Sequence, residues 1–121
     1  MPVDRPLGFP RTRRLRTAAE FKRVYTKGRR IGNEFFTATT QPNELERARL
    51  GMSVAVRAMG GAVERNRLRR MIRESFRLHA ASSMPALDIV VGVRAGARAA
   101  ASAELRASLE RLWLKLQPSP R

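Results

Sequence analysis

Residues 64–79 read ERNRLRRMIRESFRLH and carry six arginines, Arg65, Arg67, Arg69, Arg70, Arg73 and Arg77, with no lysine among them. A guanidinium is a planar fork that grips phosphate through two parallel hydrogen bonds and stacks on bases, so the run is suited to binding polyanions. Wound at 100° per residue, it becomes an amphipathic helix. Leu68, Met71, Ile72, Ser75, Leu78 and His79 fall on one side. Arg65, Asn66, Arg69, Arg70, Arg73 and Arg77 fall on the other, with Phe76 at the border and Arg67 out of line beside Glu74. A solvated helix face usually alternates charge to gain i,i+4 pairs. Here Arg65, Arg69, Arg73 and Arg77 repeat like charge at that spacing, at a cost of about 0.2–0.5 kcal/mol per pair. Such a row calls for an anion supplied from outside the chain.

Little else in the sequence can do covalent chemistry. There is one histidine and no cysteine, and the ten carboxylates are scattered. Neither a nucleophilic triad nor a metal cage can be assembled from that spacing. The glycine pair at 60–61 lacks the lysine and hydroxyl residue of a phosphate loop. His79 reads as a packed or capping histidine, and Glu74 and Asp88 as turn or ion-pair residues. The role left is electrostatic and positional. Among the aromatics, Phe21, Tyr25 and Phe35 could stack unpaired bases, at about 1–3 kcal/mol per base, or could equally be core residues. Met52, Met59 and Trp113 read as core.

The chain has 121 residues, a size for one small domain, and its 25 Lys plus Arg against 10 Asp plus Glu leave a net charge of +15. So much self-repulsion is tolerable when a polyanion neutralises it. Nucleic acid is the first candidate, through counterion release from phosphates, and an anionic membrane surface the second. Codon bias can explain arginine over lysine, but not the excess of positive charge. No run of 18 apolar residues exists, and the first residues lack the apolar core of a secretory signal, so a membrane span is not expected and a cytoplasmic protein is. A basic face alone does not choose RNA over DNA. A structural RNA-binding protein of ribosomal type and a membrane-surface basic helix remain as alternative readings.

The elements that must carry these residues can be read in order. Residues 1–14 form a basic arm rich in proline and arginine, 15–117 the domain, and 118–121 a tail. A helix over 17–27 opens with the capping box Thr17–Glu20 and ends at Gly28 as its C-terminal cap. IGNEFFTATTQ (31–41) reads as one strand, with Phe35, Thr37 and Thr39 on one face and Phe36, Ala38 and Thr40 on the other. PNELERA (42–48) is a turn, and LGMSVAV (50–56) a strand forming an antiparallel hairpin with the first. After a loop at 57–62 the arginine-rich helix spans about 63–79, and SSMP breaks it. LDIVVGV (87–93) is a buried strand. RAGARAAA is a loop, and Ser102 caps a last helix over 103–116 with Leu105, Leu109, Leu112, Trp113 and Leu116 on its apolar side. The order αββαβα gives an α+β fold, a small mixed sheet packed by helices.

The run GGAVERNRLRRMIRESFR (60–77) resembles the arginine-rich signature of the bacterial ribonuclease P protein component. It matches at Met59, Ala62, Arg65, Asn66, Arg67, Leu68, Arg69, Arg70, Ile72 and Arg73. RLRTAAEFKRVYTKGRR (14–30), RLGMSVAV (49–56) and MPALDIVV (84–91) are similar to the family's flanking segments, so the resemblance covers roughly residues 12–116. It implies the protein subunit of an endoribonuclease that removes the 5′ leader of precursor tRNA. In that enzyme a catalytic RNA does the chemistry with Mg²⁺, and the protein holds no metal itself. It implies a left-handed βαβ crossover around the arginine-rich helix, where general topology rules predict a right-handed one. It also implies one protein per catalytic RNA, precursor tRNA as a second partner, and no membrane. Arg65, Asn66, Arg67, Arg69, Arg70 and Arg73 are then implied contacts to the catalytic RNA. Phe21, Tyr25, Phe35, Thr37, Thr39 and Arg57 are implied to form the leader cleft. Two positions depart from the family pattern: Val56 stands where a second basic residue is common beside Arg57, and Thr39 where an aromatic is common.

Overall fold

The structure, a computed structural model, describes residues 14–15, 17–43, 47–54, 60–80 and 86–117. The arm before Arg14, Arg57 with its neighbour Val56, Met59 and the tail 118–121 lie outside the described residues. The elements are α1 (Ala18–Lys27), β1 (Arg29–Gly32), β2 (Phe36–Pro42), β3 (Arg49–Ser53), α2 (Ala62–His79), β4 (Leu87–Val93), a 3₁₀ turn (Ala95–Ala99) and α3 (Ser102–Leu116). The result is α+β with one mixed sheet in the order β1-β2-β4-β3.

Two expectations about the sheet are corrected. The segment 31–41 is not one strand but a hairpin, β1 paired antiparallel with β2. Asn33 turns the chain: its side-chain oxygen accepts from the backbone N–H of Phe35 and of Phe36, both at 3.1 Å. Asn side chains that bond backbone two or three residues on favour a turn over a continued strand. Nor does β2 pair with β3. β4 lies between them, antiparallel to β2 and parallel to β3. Its run Ile89, Val90, Val91 is buried on both faces, and a strand apolar on both sides belongs in the middle of a sheet. The parallel β3–β4 pair, joined through α2, forms the crossover.

Alternation along the strands divides the core. Phe36, Ala38, Leu50, Ile89 and Val91 face α2 and α3, whose Leu68, Ile72, Phe76, Leu105, Leu109, Leu112 and Trp113 close the main core. Trp113 meets Phe76 edge-on at 5.6 Å and donates its indole N–H to the Ser75 hydroxyl at 2.8 Å. Its polar end is thus satisfied inside a buried interface. Val90, on the opposite face, packs with Val24 and Leu15 under α1.

Local corrections concern single residues. Gly28 ends α1 as its C-terminal cap, as expected, and does so in extended conformation (φ −82°). Its reason is space: a Cβ there would lie 2.8 Å from both Thr39 Cγ2 and the Thr40 carbonyl. The N-cap of α3 is Ala101, not Ser102. Glu104 accepts from the Ala101 N–H at 3.0 Å, and Ser102, the first helical residue, accepts from Arg67. RAGARAAA contains the 3₁₀ turn rather than loop alone. On α2 the border residue Phe76 is fully buried, whereas Leu78 is 59% exposed because α3 covers only part of that face.

Candidate nucleic-acid interface

The side of the sheet that carries α1 is laid out by register. Partners directly opposite in paired strands share a face. Arg30 (β1), Thr39 (β2), Val90 (β4) and Gly51 (β3) form one row across the sheet, and Gly32, Thr37, Gly92 and Ser53 the next. Tyr25, 53% exposed on the last turn of α1, stands over this floor. With Arg94 just past β4, Tyr25, Arg30, Thr37, Thr39, Ser53, Val90 and Gly92 line an open groove of about 260 Å³, while Gly51 lies under Phe21 and Gly32 against the Arg94 guanidinium. Its floor is low because two positions of the second row are glycine. A Cβ on Gly92 would come within 2.6 Å of Thr37 Oγ1, and one on Gly32 within 3.0 Å of the Arg94 guanidinium. An exposed aromatic, a flat hydroxyl and glycine floor, and flanking guanidiniums at Arg30 and Arg94 can stack an unpaired base and hold its backbone phosphate.

The six residues expected in this cleft are placed differently from one another. Tyr25, Thr37 and Thr39 line the groove. Phe21 lies beside it, half-buried against the cluster of Leu15, Val24 and Val90, with its ring above Gly51. Phe35 does not share the face of Thr37 and Thr39. It belongs to the Asn33 turn rather than to β2, so strand alternation does not reach it, and it packs against the main core near Gly96. Arg57 is outside the described residues. Arg30, Ser53, Val90, Gly92 and Arg94 line the groove although none was expected there. The signal for Val90 and Gly92 is the alternation of LDIVVGV, legible once β4 is known to be the central strand.

α1 is fastened to the sheet by an ionic chain. Asp88, 2% exposed, accepts from Arg49 Nε at 2.9 Å, from an Arg49 terminal nitrogen at 2.8 Å and from Asn43 at 2.8 Å. The other terminal nitrogen of Arg49 donates to Glu20 at 2.8 Å, and Glu20 also accepts from the Thr17 N–H in the capping box of α1. The hydrogen bond from Arg49 to Asp88 raises the Arg49 pKa, against desolvation, which lowers it. Asp88 is thus an ion-pair residue on a strand, not in a turn. Gly51 contributes to the same fastening. A Cβ there would meet the Phe21 ring at 2.7 Å. Gly51→Ala should therefore lift α1 and cost about 1–3 kcal/mol, as overpacking does, read as a lower urea midpoint with unchanged slope.

The arginines of α2 differ in their surroundings. Arg69 donates to Asn66 at 3.1 Å and Arg65 to the Gly60 carbonyl at 3.0 Å, where Gly60 takes the left-handed φ of 81°. Arg70 and Arg73 make no side-chain hydrogen bond or ion pair among the described residues. The Arg73 pKa is lowered, first by burial and then by the charges of Arg14, Arg69 and Arg70, with Glu74 opposing. Arg14 reaches this ridge because its segment bridges to Leu50 along the outer edge of β3. Arg67 turns to the opposite shoulder, toward Glu64 and Ser102 of α3. Arg77, expected on the basic face, is drawn in by Glu74, and its side chain is only 17% exposed. His79 is not packed: it is half-exposed, with Nε2 3.6 Å from a Glu110 oxygen.

Among the described residues, no three His, Cys, Asp or Glu converge on a point where a metal could sit. Nor is any described helix long and apolar enough to cross a membrane.

Comparison with known proteins bears on this surface. The family model Ribonuclease P matches residues 9–117. The chain is 37% identical to the ribonuclease P protein component of Thioalkalivibrio sulfidiphilus, over 96% of this chain and 94% of that protein. It is 39% identical to that of Methylococcus capsulatus, over 94% and 92%. Among solved structures, the RNase P protein of Staphylococcus aureus superposes with a TM-score of 0.79 at 38% identity, covering 85% of this chain and 93% of that one. That of Thermotoga maritima gives a TM-score of 0.77 at 30% identity, covering 87% and 98%.

Proposed function

Since this chain belongs to the ribonuclease P protein family, and is thereby the protein component of a tRNA-processing ribonucleoprotein endonuclease, we propose that it grips two RNAs at once. The ridge of Arg65, Asn66, Arg69, Arg70 and Arg73, with Arg67 on its far shoulder, binds the catalytic RNA. The groove of Tyr25, Arg30, Thr37, Thr39 and Arg94 holds the single-stranded 5′ leader of precursor tRNA. Arg57 belongs to the same leader surface on the strength of the family pattern. One protein serves one catalytic RNA, in the cytoplasm where precursor tRNA is made.

One observation carries the reading: an exposed tyrosine stands over a floor kept low by Gly32 and Gly92, with a guanidinium reaching over it. Burying an unneeded tyrosine would be favourable, so an open one above a flat polar strip is best explained by a base that stacks there. Among the described residues no three acidic or histidine side chains converge as a metal site would require, and Asp88, Glu74 and Glu34 each face an arginine. We therefore place the Mg²⁺ chemistry on the RNA. The protein orients the strand and screens its charge, raising effective concentration at the cleavage site.

The decisive experiment adds purified protein to a matching catalytic RNA and precursor tRNA at low Mg²⁺. Leader removal should be stimulated; an unchanged rate would sink the proposal. Within that assay Tyr25→Ala should weaken binding of leader-bearing substrate by about 5- to 150-fold, the equivalent of about 1–3 kcal/mol of stacking. Affinity for tRNA lacking a leader should not change, and equal loss for both would remove Tyr25 from the leader site.

A further inference from the structure

The far shoulder of α2 borders a second groove, of about 330 Å³, between α2 and α3. Its walls are Met71, which is buried, and Leu78, which is 59% exposed. Arg67, Arg70 and Arg106 stand around it, and Glu74 and Glu110 lie along it. It is on the opposite side of the sheet from the leader groove, because α2 and α3 cover one face and α1 the other.

We propose that this groove receives one unpaired nucleobase of the catalytic RNA, one bearing an exocyclic amino group. The inference rests on the reading of α2 as the RNA-binding helix. A phosphate could sit on the arginines but not beside the two carboxylates, which would repel it. The interior is suited to a flat neutral group with an apolar face for Met71 and Leu78 and hydrogen-bond donors for the carboxylates. A carboxylate has about four acceptor positions, so the contacts of Glu74 with Arg77 and of Glu110 with His79 leave others to receive an amino group. Carboxylates accept from the amino group of cytosine in the same manner in nucleic-acid recognition. The arginines then take the flanking phosphates. Arg67 and Arg70 lie on the same helix as the ridge, so a strand crossing α2 passes from ridge to groove without leaving basic surface. The volume is within the lower range of small-ligand sites.

Two measurements on the full chain test this. In the first, methyl signals of Met71 and Leu78 are followed while adenosine or uridine 5′-monophosphate is added. Adenosine monophosphate should shift both at several-fold lower concentration than uridine monophosphate. Equal responses, or shifts confined to residues 65–73 of the ridge, would overturn the proposal. In the second, Leu78→Gln should weaken binding of the catalytic RNA about tenfold, with the leader effect of Tyr25→Ala unaltered. The matched exposed change Leu114→Gln should leave binding as it was. Undiminished binding by Leu78→Gln would also overturn it. The two readings fail differently. Wild-type protein that ignores the catalytic RNA sinks the functional assignment, whereas intact RNA binding with a silent Met71 and Leu78 sinks the base pocket alone.

Discussion

Asp88→Ala should destabilise the fold by about 3–5 kcal/mol, the range seen when one member of a buried ion pair is removed. The carboxylate is almost wholly enclosed and receives three hydrogen bonds, two from Arg49 and one from Asn43. Deleting it leaves the partly buried Arg49 guanidinium with Glu20 as its remaining carboxylate among the described residues, and takes from the Asn43 amide its bond to a charged acceptor. Small domains are stable by about 5–15 kcal/mol in total, so the loss is a large fraction of what holds this one together. Urea denaturation followed by circular dichroism will measure it. A change below about 1 kcal/mol would show that solvent repairs the gap. The paired replacement Arg49→Met with Asp88→Leu is expected to recover much of the loss, because exchanging a whole buried pair for apolar residues is often neutral. It should not recover function, since α1 would have lost the Arg49–Glu20 link that fixes Tyr25 over its groove. Stability and leader discrimination should therefore separate in that variant.

The second large effect concerns the ridge. Replacing Arg65, Arg69 and Arg73 together with alanine should reduce affinity for the catalytic RNA by about 10²–10³-fold in dilute salt, taking about 1.5–3 kcal/mol for each charged hydrogen bond and allowing for non-additivity. The slope of log affinity against log salt should fall by about 2–3, roughly one for each phosphate contact removed. Folding should survive, because these side chains form none of the core and removing them relieves like-charge contacts around Arg73. Filter binding across a salt series, with denaturation as control, reads both. An unchanged slope would mean that the ridge does not meet phosphate.

Much of this surface was legible in the residues. The period of 64–79 identified the arginine-rich helix to within a residue of its observed start, and Thr17 with Glu20 marked the first turn of α1. Local signals of this kind need no tertiary context. What failed was long-range. The β-branched run 31–41 gave no warning that the side chain of Asn33 would break it, and that break moved Phe35 off the face assigned to it. Short loop length suggested that β2 and β3 pair, yet the strand richest in apolar residues took the position between them. Arg30 and Arg94 carry no local signal of their role for the same reason. They meet over one groove only through the β1–β2–β4 register, a fact about pairing rather than composition. The helical angle alone points Arg77 to the basic face, but the Glu74 carboxylate draws it inward.

The central position of β4 sets an order of events during synthesis. The hairpin of residues 29–42 and the lone strand 49–53 leave the ribosome first, each with an edge that nothing yet covers. Neither can dock until residue 93 has emerged, for β4 supplies all the hydrogen bonds between these two parts of the sheet. A nascent chain stalled at about that length would present two unmatched ladders and a cationic helix, a species prone to sticking to other chains. Closure is one late zipper step that joins both ladders together, and the non-local pairing it requires favours slow, all-or-none refolding over gradual accretion.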